Sequence, residues 1–228
     1  MIGKEKVGAI IAAAGSSQRM KGIDKIFADL DGVPVLSRVI EVFQESAAVD
    51  EIVIVISQSN LEMGKSLVSA NSWPKVTGII AGGERRQDSV IRGLEELHNC
   101  NWVIIHDGAR PLVTNELIQQ GLAAAMETGA AIAAIPVTDT IKVAGDDLIV
   151  QGTPPRRNLW AIQTPQVFRF NIIDSAYKQL KYEVSDDAGA VELLGHKVKL
   201  YQGSYDNIKI TTPNDIAIAG VLRRKHDR

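Results

Sequence analysis

One cysteine, Cys100, stands in 228 residues, and aromatic side chains make up only 5%. A lone thiol excludes an intrachain disulfide framework and a Cys-rich zinc site, and it points to a reducing, cytoplasmic home. No stretch approaches the roughly 18 apolar residues that a membrane-spanning helix needs. Neither sign of charge prevails: 25 Lys+Arg against 27 Asp+Glu leave a formal net charge of −2. That balance excludes a basic nucleic-acid coat and an acidic tail protein. No second His or Cys stands at ligand spacing from His106, so His106 reads as packed or hydrogen-bonded structure rather than a zinc ligand. Internal repeats, low-complexity tracts and clear linkers are also missing, so one domain is expected over 1–228.

Hydrophobic residues, by contrast, make up 45%. That fraction argues against disorder and supplies a full core. The start, Met1–Ser17, imitates a signal peptide, with Lys4 and Lys6 before Val7–Ala14. Its apolar part is short and Glu5 sits in the basic region, so a buried first strand entering a glycine turn is expected instead.

Apolar runs of strand length recur with helical segments between them. Val7–Ala13, Glu51–Ile56, Thr77–Ala81, Trp102–Ile105 and Ala130–Val137 read as strands. Pro34–Ser46 and Asn115–Glu127 read as helices, the second with Thr114 as N-cap. Such alternation means a Rossmann-like α/β fold, with a mostly parallel sheet covered by helices on both faces. Ligands then sit at the carboxyl ends of the strands. The pattern breaks at Thr138–Trp160, which is read as a protruding β-arm at about 138–160, with Thr140–Val143 and Leu148–Gln151 as its paired strands. Beyond it, Phe170–Leu180 and a segment capped by Ser185-Asp186-Asp187 are expected helices. Val198–Tyr201 and Ile208–Ile210 are expected strands. Thr212-Pro213-Asn214-Asp215 opens a last helix.

The chemistry-bearing residues follow the strands. The first strand runs into Ala13-Ala14-Gly15-Ser16-Ser17-Gln18-Arg19, and Lys25 lies a few residues on. Small residues let backbone approach a ligand, and exposed N–H groups cradle phosphate oxygens. Arg19 and Lys25 add charge, with Lys21 nearby. The loop carries neither G-x-G-x-x-G nor G-K-[ST], which disfavours a dinucleotide dehydrogenase and a P-loop NTPase. Asp107 follows the fourth strand in His106-Asp107-Gly108-Ala109-Arg110. It suits Mg²⁺ held against a triphosphate, and equally a turn-forming Asp before Gly. Gly82–Ser89 is a second glycine turn, read either as a base pocket containing Gly83 and Ser89 or as a plain turn with an N-cap. Lys209, in Asn207-Ile208-Lys209-Ile210-Thr211, either meets an anion or faces water from an edge strand. Thr140, Arg156, Thr164 and Ser185 offer hydroxyl and guanidinium groups to a phosphorylated polyol. Together these pieces describe nucleotidyl transfer by electrostatics and positioning, with no covalent intermediate.

Eight stretches carry a closer resemblance: AAAGSSQRM (12–20), DK (24–25), AGGERRQDSV (81–90), HDGARP (106–111), PVTDTIK (136–142), LWAIQTPQVF (159–168), SDDA (185–188) and NIKITTPND (207–215). In order along nearly the whole chain, they resemble the 2-C-methyl-D-erythritol 4-phosphate cytidylyltransferase family of the non-mevalonate isoprenoid pathway. The resemblance implies a homodimer through interlocked arms, with CTP and a polyol phosphate as substrates, Mg²⁺, and no nucleic-acid or membrane partner. It implies that Arg19, Lys25 and Lys209 are catalytic cations. Ala13, Ala14, Gly15, Ser16, Gly83, Ser89, Asp107 and Gly108 would hold the nucleotide, and Asp107 would also serve the metal. Asp107, Arg110, Thr140, Arg156, Thr164, Ser185 and Lys209 would hold the acceptor, Thr140 and Arg156 reaching a neighbouring subunit. Asp24-Lys25-Ile26 departs from a frequent Pro-Lys-Gln, Thr138 from a frequent basic residue, and Ser185 from a frequent Thr. Ribitol 5-phosphate cytidylyltransferase is the nearest alternative. A silent nucleotide-binding regulator is disfavoured by the presence of Arg19, Lys25 and Asp107.

Overall fold

Five near-continuous apolar runs need burial on both faces, and the chain provides it with a seven-stranded sheet. The computed structural model describes residues 5–15, 20 and 24–226. Strands β1 (Val7–Ala13), a short hairpin β2 (Asp29–Leu30) and β3 (Val33–Pro34), helix α1 (Val35–Glu45) and β4 (Glu51–Ile56) open the chain. Helix α2 (Leu61–Ser69), β5 (Val76–Ala81), α3 (Arg86–Glu96), β6 (Trp102–Asp107), α4 (Asn115–Thr128) and β7 (Ala130–Pro136) follow. The second half holds a small hairpin, β8 (Val143–Ala144) and β9 (Val150–Gly152), then β10 (Trp160–Arg169), α5 (Phe170–Gln179), α6 (Asp187–Leu193), β11 (Lys199–Gln202) and α7 (Pro213–His226).

The main sheet runs β11-β7-β10-β6-β1-β4-β5. It is parallel at β6-β1-β4-β5 and at β11-β7, while β10 pairs antiparallel with both β6 and β7. The sheet is therefore mixed, mostly parallel. Alternation along the strands divides the core. Ala9, Ile11, Ile52, Ile54 and Ile104 pack with Leu36, Val39, Phe43 of α1 and Ile118, Leu122 of α4. Ile10, Val53, Val55, Val103 and Ile105 pack on the other face with Val90 of α3, Ile173 of α5 and Val191 of α6. A third cluster joins Met20, Ala28, Leu30 and Val35 to Ile210 and Ala219 of α7.

Local signals operate as their chemistry requires. Thr114 Oγ1 accepts the Leu117 N–H at 3.3 Å, and α4 ends at Gly129, whose φ of 82° suits glycine. Asp186 Oδ1 accepts the Gly189 N–H at 3.0 Å to cap α6. Asp215 Oδ2 accepts the Thr211 and Thr212 N–H groups, each at 2.8 Å, at the start of α7. Pro34 stands at the N-cap of α1, one position before the first turn.

Three expectations need correction. Ile208–Ile210 is not a strand: its backbone serves a loop contact, with the Ile210 N–H donating to the Ala109 carbonyl at 2.8 Å. The strands expected at Thr140–Val143 and Leu148–Gln151 are shorter and shifted toward the C-terminus, as β8 and β9, which pair across a bulge. Strand β10, the longest in the sheet, falls between the expected arm and the expected Phe170 helix, where no strand is read; its polar middle, Gln163-Thr164-Pro165-Gln166, masks the pattern.

Candidate active site

Parallel register brings four strand ends to one rim. Ala12 faces Asp107, Ala13 faces Ile56, and Ile56 faces Ala81. A cavity of about 420 Å³ opens there, where such sheets bind ligands. Ala13, Ala14 and Gly15 line one side, with Lys25 beside them. Gly83 and Ser89 line a second side, and Asp107 and Lys209 close the floor. Close approach explains the small residues. A Cβ on Gly108 would lie 2.8 Å from the Cβ of Ala13, and one on Gly82 would lie 2.4 Å from the Cβ of Ala14. The Gly108 N–H donates to the Ala12 carbonyl at 2.9 Å, so the turns after β1 and β6 are laced together. The Ser89 hydroxyl is spent on the loop: it accepts the Gly83 N–H at 3.1 Å and contacts the Arg85 carbonyl at 3.3 Å.

Asp107 is the electrostatic centre. Lys209 Nζ lies 2.9 Å from Oδ2, Arg110 Nε lies 3.5 Å from Oδ2, and Arg86 Nε lies 3.5 Å from Oδ1. Burial pushes the Asp107 carboxyl up, but Arg86, Lys209 and Arg110 outweigh it and hold the group far below the usual carboxylate range. Arg86 reaches further: its Nη1 lies 2.7 Å from Oδ2 of fully buried Asp187, whose Oδ1 accepts the Tyr177 hydroxyl. Burial would lower the Arg86 pKa, yet Asp187 and Asp107 raise it overall, so the cation is fixed in its charged state.

Behind Asp107 lies a polar relay. The Asp107 N–H donates to Thr164 Oγ1 at 3.0 Å, and that hydroxyl meets His106 Nδ1 at 3.1 Å. The Arg110 carbonyl, 3.2 Å from Nε2, can only accept, so in the neutral ring Nε2 carries the proton and Nδ1 accepts from the Thr164 hydroxyl. Burial brings the His106 pKa down to about 4, in keeping with this neutral tautomer. Arg110 Nη1 donates to the Asn207 carbonyl at 2.8 Å, tying the turn after β6 to the segment carrying Lys209. The bulge of β10 between Ile162 and Gln166, which contains a cis Thr164–Pro165 peptide, sets Thr164 in this place.

The fold thus gathers Ala13, Ala14, Gly15, Lys25, Gly83, Ser89, Asp107 and Lys209 around one cavity. Gly108, Arg110 and Thr164 support it from behind. Ser16 and Arg19 lie outside the described residues. Thr140 and Arg156 sit away from it on the exposed segment between β7 and β10, where Arg156 Nη1 donates to the Thr138 carbonyl at 2.6 Å. Ser185 is exposed before α6 and lines a different depression. Sequence reasoning missed Arg86, Asp187 and Tyr177. The signal for Arg86 was slight, a second arginine at a polar helix start, and its partners lie far along the chain.

A family model described as IspD, 2-C-methyl-D-erythritol 4-phosphate cytidylyltransferase, matches residues 7–225. The chain belongs to this family. A relative of that name from Dehalococcoides mccartyi is 50% identical over 221 residues, which cover 97% of each protein. Another of that name from Caldanaerobacter subterraneus is 44% identical over 225 residues, covering 96% of this chain and 99% of the relative. The crystal structure of 4-diphosphocytidyl-2C-methyl-D-erythritol synthase from Anaerococcus prevotii is similar with a TM-score of 0.86 at 30% identity, over 96% of each chain. Family membership matches the resemblance carried by the eight motifs, and the mixed sheet matches the fold of these neighbours.

Proposed function

We propose that this family member joins CTP to 2-C-methyl-D-erythritol 4-phosphate, giving 4-diphosphocytidyl-2-C-methyl-D-erythritol and pyrophosphate in isoprenoid biosynthesis. The observation that carries this is the cavity at the carboxyl ends of β1, β4, β5 and β6, ringed by small residues, Lys25, Lys209 and Asp107, in a chain matched to the family almost end to end. The acceptor phosphate oxygen attacks the α-phosphorus of CTP. A new P–O bond forms as the bond to the β-phosphate oxygen breaks and pyrophosphate leaves. A phosphate monoester is already ionised near neutral pH, so no strong base is required. That agrees with a neutral, buried His106 that holds Asp107 and Arg110 in place.

Lys25, with Arg19 and Lys209, balances the charge that gathers on the transferring phosphoryl group. The backbone of Ala13–Gly15 and the N-terminus of α3 face the nucleotide, and Gly83 and Ser89 shape its base pocket. Among the described residues no group of three or more His, Cys, Asp or Glu stands together as a metal cage. A single carboxylate still fits Mg²⁺, which takes one or two carboxylates and completes its shell with phosphate oxygens and water. Asp107 would hold it; the ion supplies charge neutralisation on the triphosphate. Lys209 serves the acceptor, Arg110 and Thr164 act through Asp107, which they hold from behind, and Ser185, from its separate depression, joins the acceptor set only on the family resemblance, as do Thr140 and Arg156 from the arm of a second copy. Exposed Val143, Leu148, Ile149 and Val150 on the arm support a homodimer, because a two-stranded hairpin with bare apolar side chains is marginal alone. Among the described residues no helix is long and apolar enough to cross a membrane; a cytoplasmic home is part of the proposal.

Pyrophosphate release by purified protein with CTP and Mg²⁺ tests this, with methylerythritol phosphate and ribitol 5-phosphate compared as acceptors. Strong preference for the first is expected. Preference for ribitol 5-phosphate would overturn the pathway and keep the cytidylyl chemistry.

A further inference from the structure

Asn60 ends a short 3-10 turn, Gln58–Asn60, that runs directly into α2. Its side-chain amide donates to Oδ2 of Asp24, 36 residues away. Asp24 lines the cavity beside Lys25. Its other oxygen, Oδ1, accepts the Ile26 N–H at 3.2 Å, and its carbonyl accepts the Phe27 N–H at 3.1 Å. Asp24–Phe27 is therefore a turn closed by side chain and backbone together, with Lys25 at its second position. The far side is also fixed. Ile26 is buried in the core, and its carbonyl accepts the Leu36 N–H at 2.8 Å. The Lys25 backbone is thus held between the start of α2 and the start of α1. Its ammonium comes within 3.7 Å of the point a Gly15 Cβ would occupy, over the first phosphate loop.

From this geometry we infer that Asp24 and Asn60 are a positioning pair for Lys25. The Asn60 amide braces the turn that carries the cation. The role rests on the function proposed for Lys25 and adds to it what sets the ammonium's place. Asp24 acts through the turn rather than as a charge toward substrate, since both of its oxygens are engaged by donors on the protein.

Steady-state kinetics for CTP, with thermal unfolding alongside, test the pair in Asp24→Ala, Asp24→Asn and Asn60→Ala, each made also with Lys25→Ala. Misplacing a reacting-site group by about 1 Å can lower turnover up to roughly a hundredfold. Asp24→Ala and Asn60→Ala are expected to lower kcat roughly tenfold or more, with the KM for CTP within about twofold and near-native unfolding midpoints. Asp24→Asn is expected to retain most turnover, because its amide oxygen still accepts the Ile26 N–H and its NH₂ can meet a turned Asn60 amide. In Lys25→Ala neither change costs anything more, since a residue acting through Lys25 has nothing left to aim. Losses that persist undiminished beside Lys25→Ala would overturn the pairing, as would equal losses in Asp24→Ala and Asp24→Asn, which would mean a direct charge effect. Near-native turnover in Lys25→Ala alone would remove the role of Lys25 and the pair with it. If Asp24→Ala does not fold, Asn60→Ala carries the same comparison from outside the turn.

Discussion

Arg86 bridges two carboxylates, one at the cavity floor that it shares with Lys209 and Arg110 and one inside the fold. Asp107 lies 3.5 Å from it, and buried Asp187 lies 2.7 Å away. Breaking a buried pair from one side strands the other charge, at a cost of about 3–5 kcal/mol. Arg86→Gln should therefore destabilise strongly in urea unfolding. Adding Asp187→Asn should recover part of that loss, and full additivity of the two would refute the pairing. At the opposite end of the sheet, Glu51 shows the same arithmetic with a pH signature. It is buried where β4 begins, with Lys6 Nζ 2.6 Å away and Thr77 Oγ1 donating at 2.8 Å. Burial pushes its carboxyl up, but hydrogen bonds from Lys6, His98 and Thr77 outweigh this and bring it from 4.5 down to about 2. A depressed carboxylate adds stability above its unfolded pKa and loses it as pH falls through the folded one. Glu51→Gln should thus cost about 2 kcal/mol at neutral pH. The gap from wild type should shrink below pH 4.5 and be lost only as pH falls through about 2. An equal gap at pH 7 and pH 3 would refute the assignment.

Elements meet at the cavity through contacts with no room to spare. The turn between β5 and α3 touches the turn after β1 at Gly82, whose missing Cβ would fall 2.4 Å from the Cβ of Ala14 and 2.6 Å from Ser89 Oγ. Overpacking of this kind costs typically 1–3 kcal/mol or moves backbone. Gly82→Ala should raise the KM for CTP by tenfold or more while lowering stability modestly; unchanged CTP affinity in a folded variant would mean the two turns do not jointly form the nucleotide site. What could be read ahead of the fold follows from the same elements. β1, β4, β6 and β7 announce themselves as unbroken apolar runs, and the glycine turns follow them. β10 does not, because its Gln163–Gln166 stretch faces polar partners such as His106 and Asn207 rather than a dry core. The Ile208–Ile210 alternation imitates a strand, yet its residues pack on α7 and the turn after β6. Of the two alternatives open for Lys209, the structure shows a pairing with an anion, Asp107 at 2.9 Å, and that partner depends on chain crossings no local pattern encodes.

The whole molecule leaves one proposal that a single chain cannot complete. Thr140 and Arg156 lie on an exposed segment away from the cavity, and the hairpin beside them bares Leu148 and Ile149 to solvent. Burying such a surface favours a symmetric pair, in which each arm serves the other's site. Arg156→Ala and Lys25→Ala should then each be crippled alone, the first through a raised KM for the acceptor. In a mixed dimer, one site combines both defects. The other combines the Lys25 of one chain with the Arg156 of its partner, and is intact. Random reassortment of equal amounts makes half the dimers mixed, so activity should recover to roughly a quarter of wild type. Recovery must follow the kinetics of subunit exchange and fail when the parents are cross-linked as homodimers before mixing. If each arm serves its own chain, every site keeps one defect and mixing restores nothing. Well-formed mixed dimers with only the summed parental activity would therefore assign Arg156 to its own chain and end the shared-site proposal.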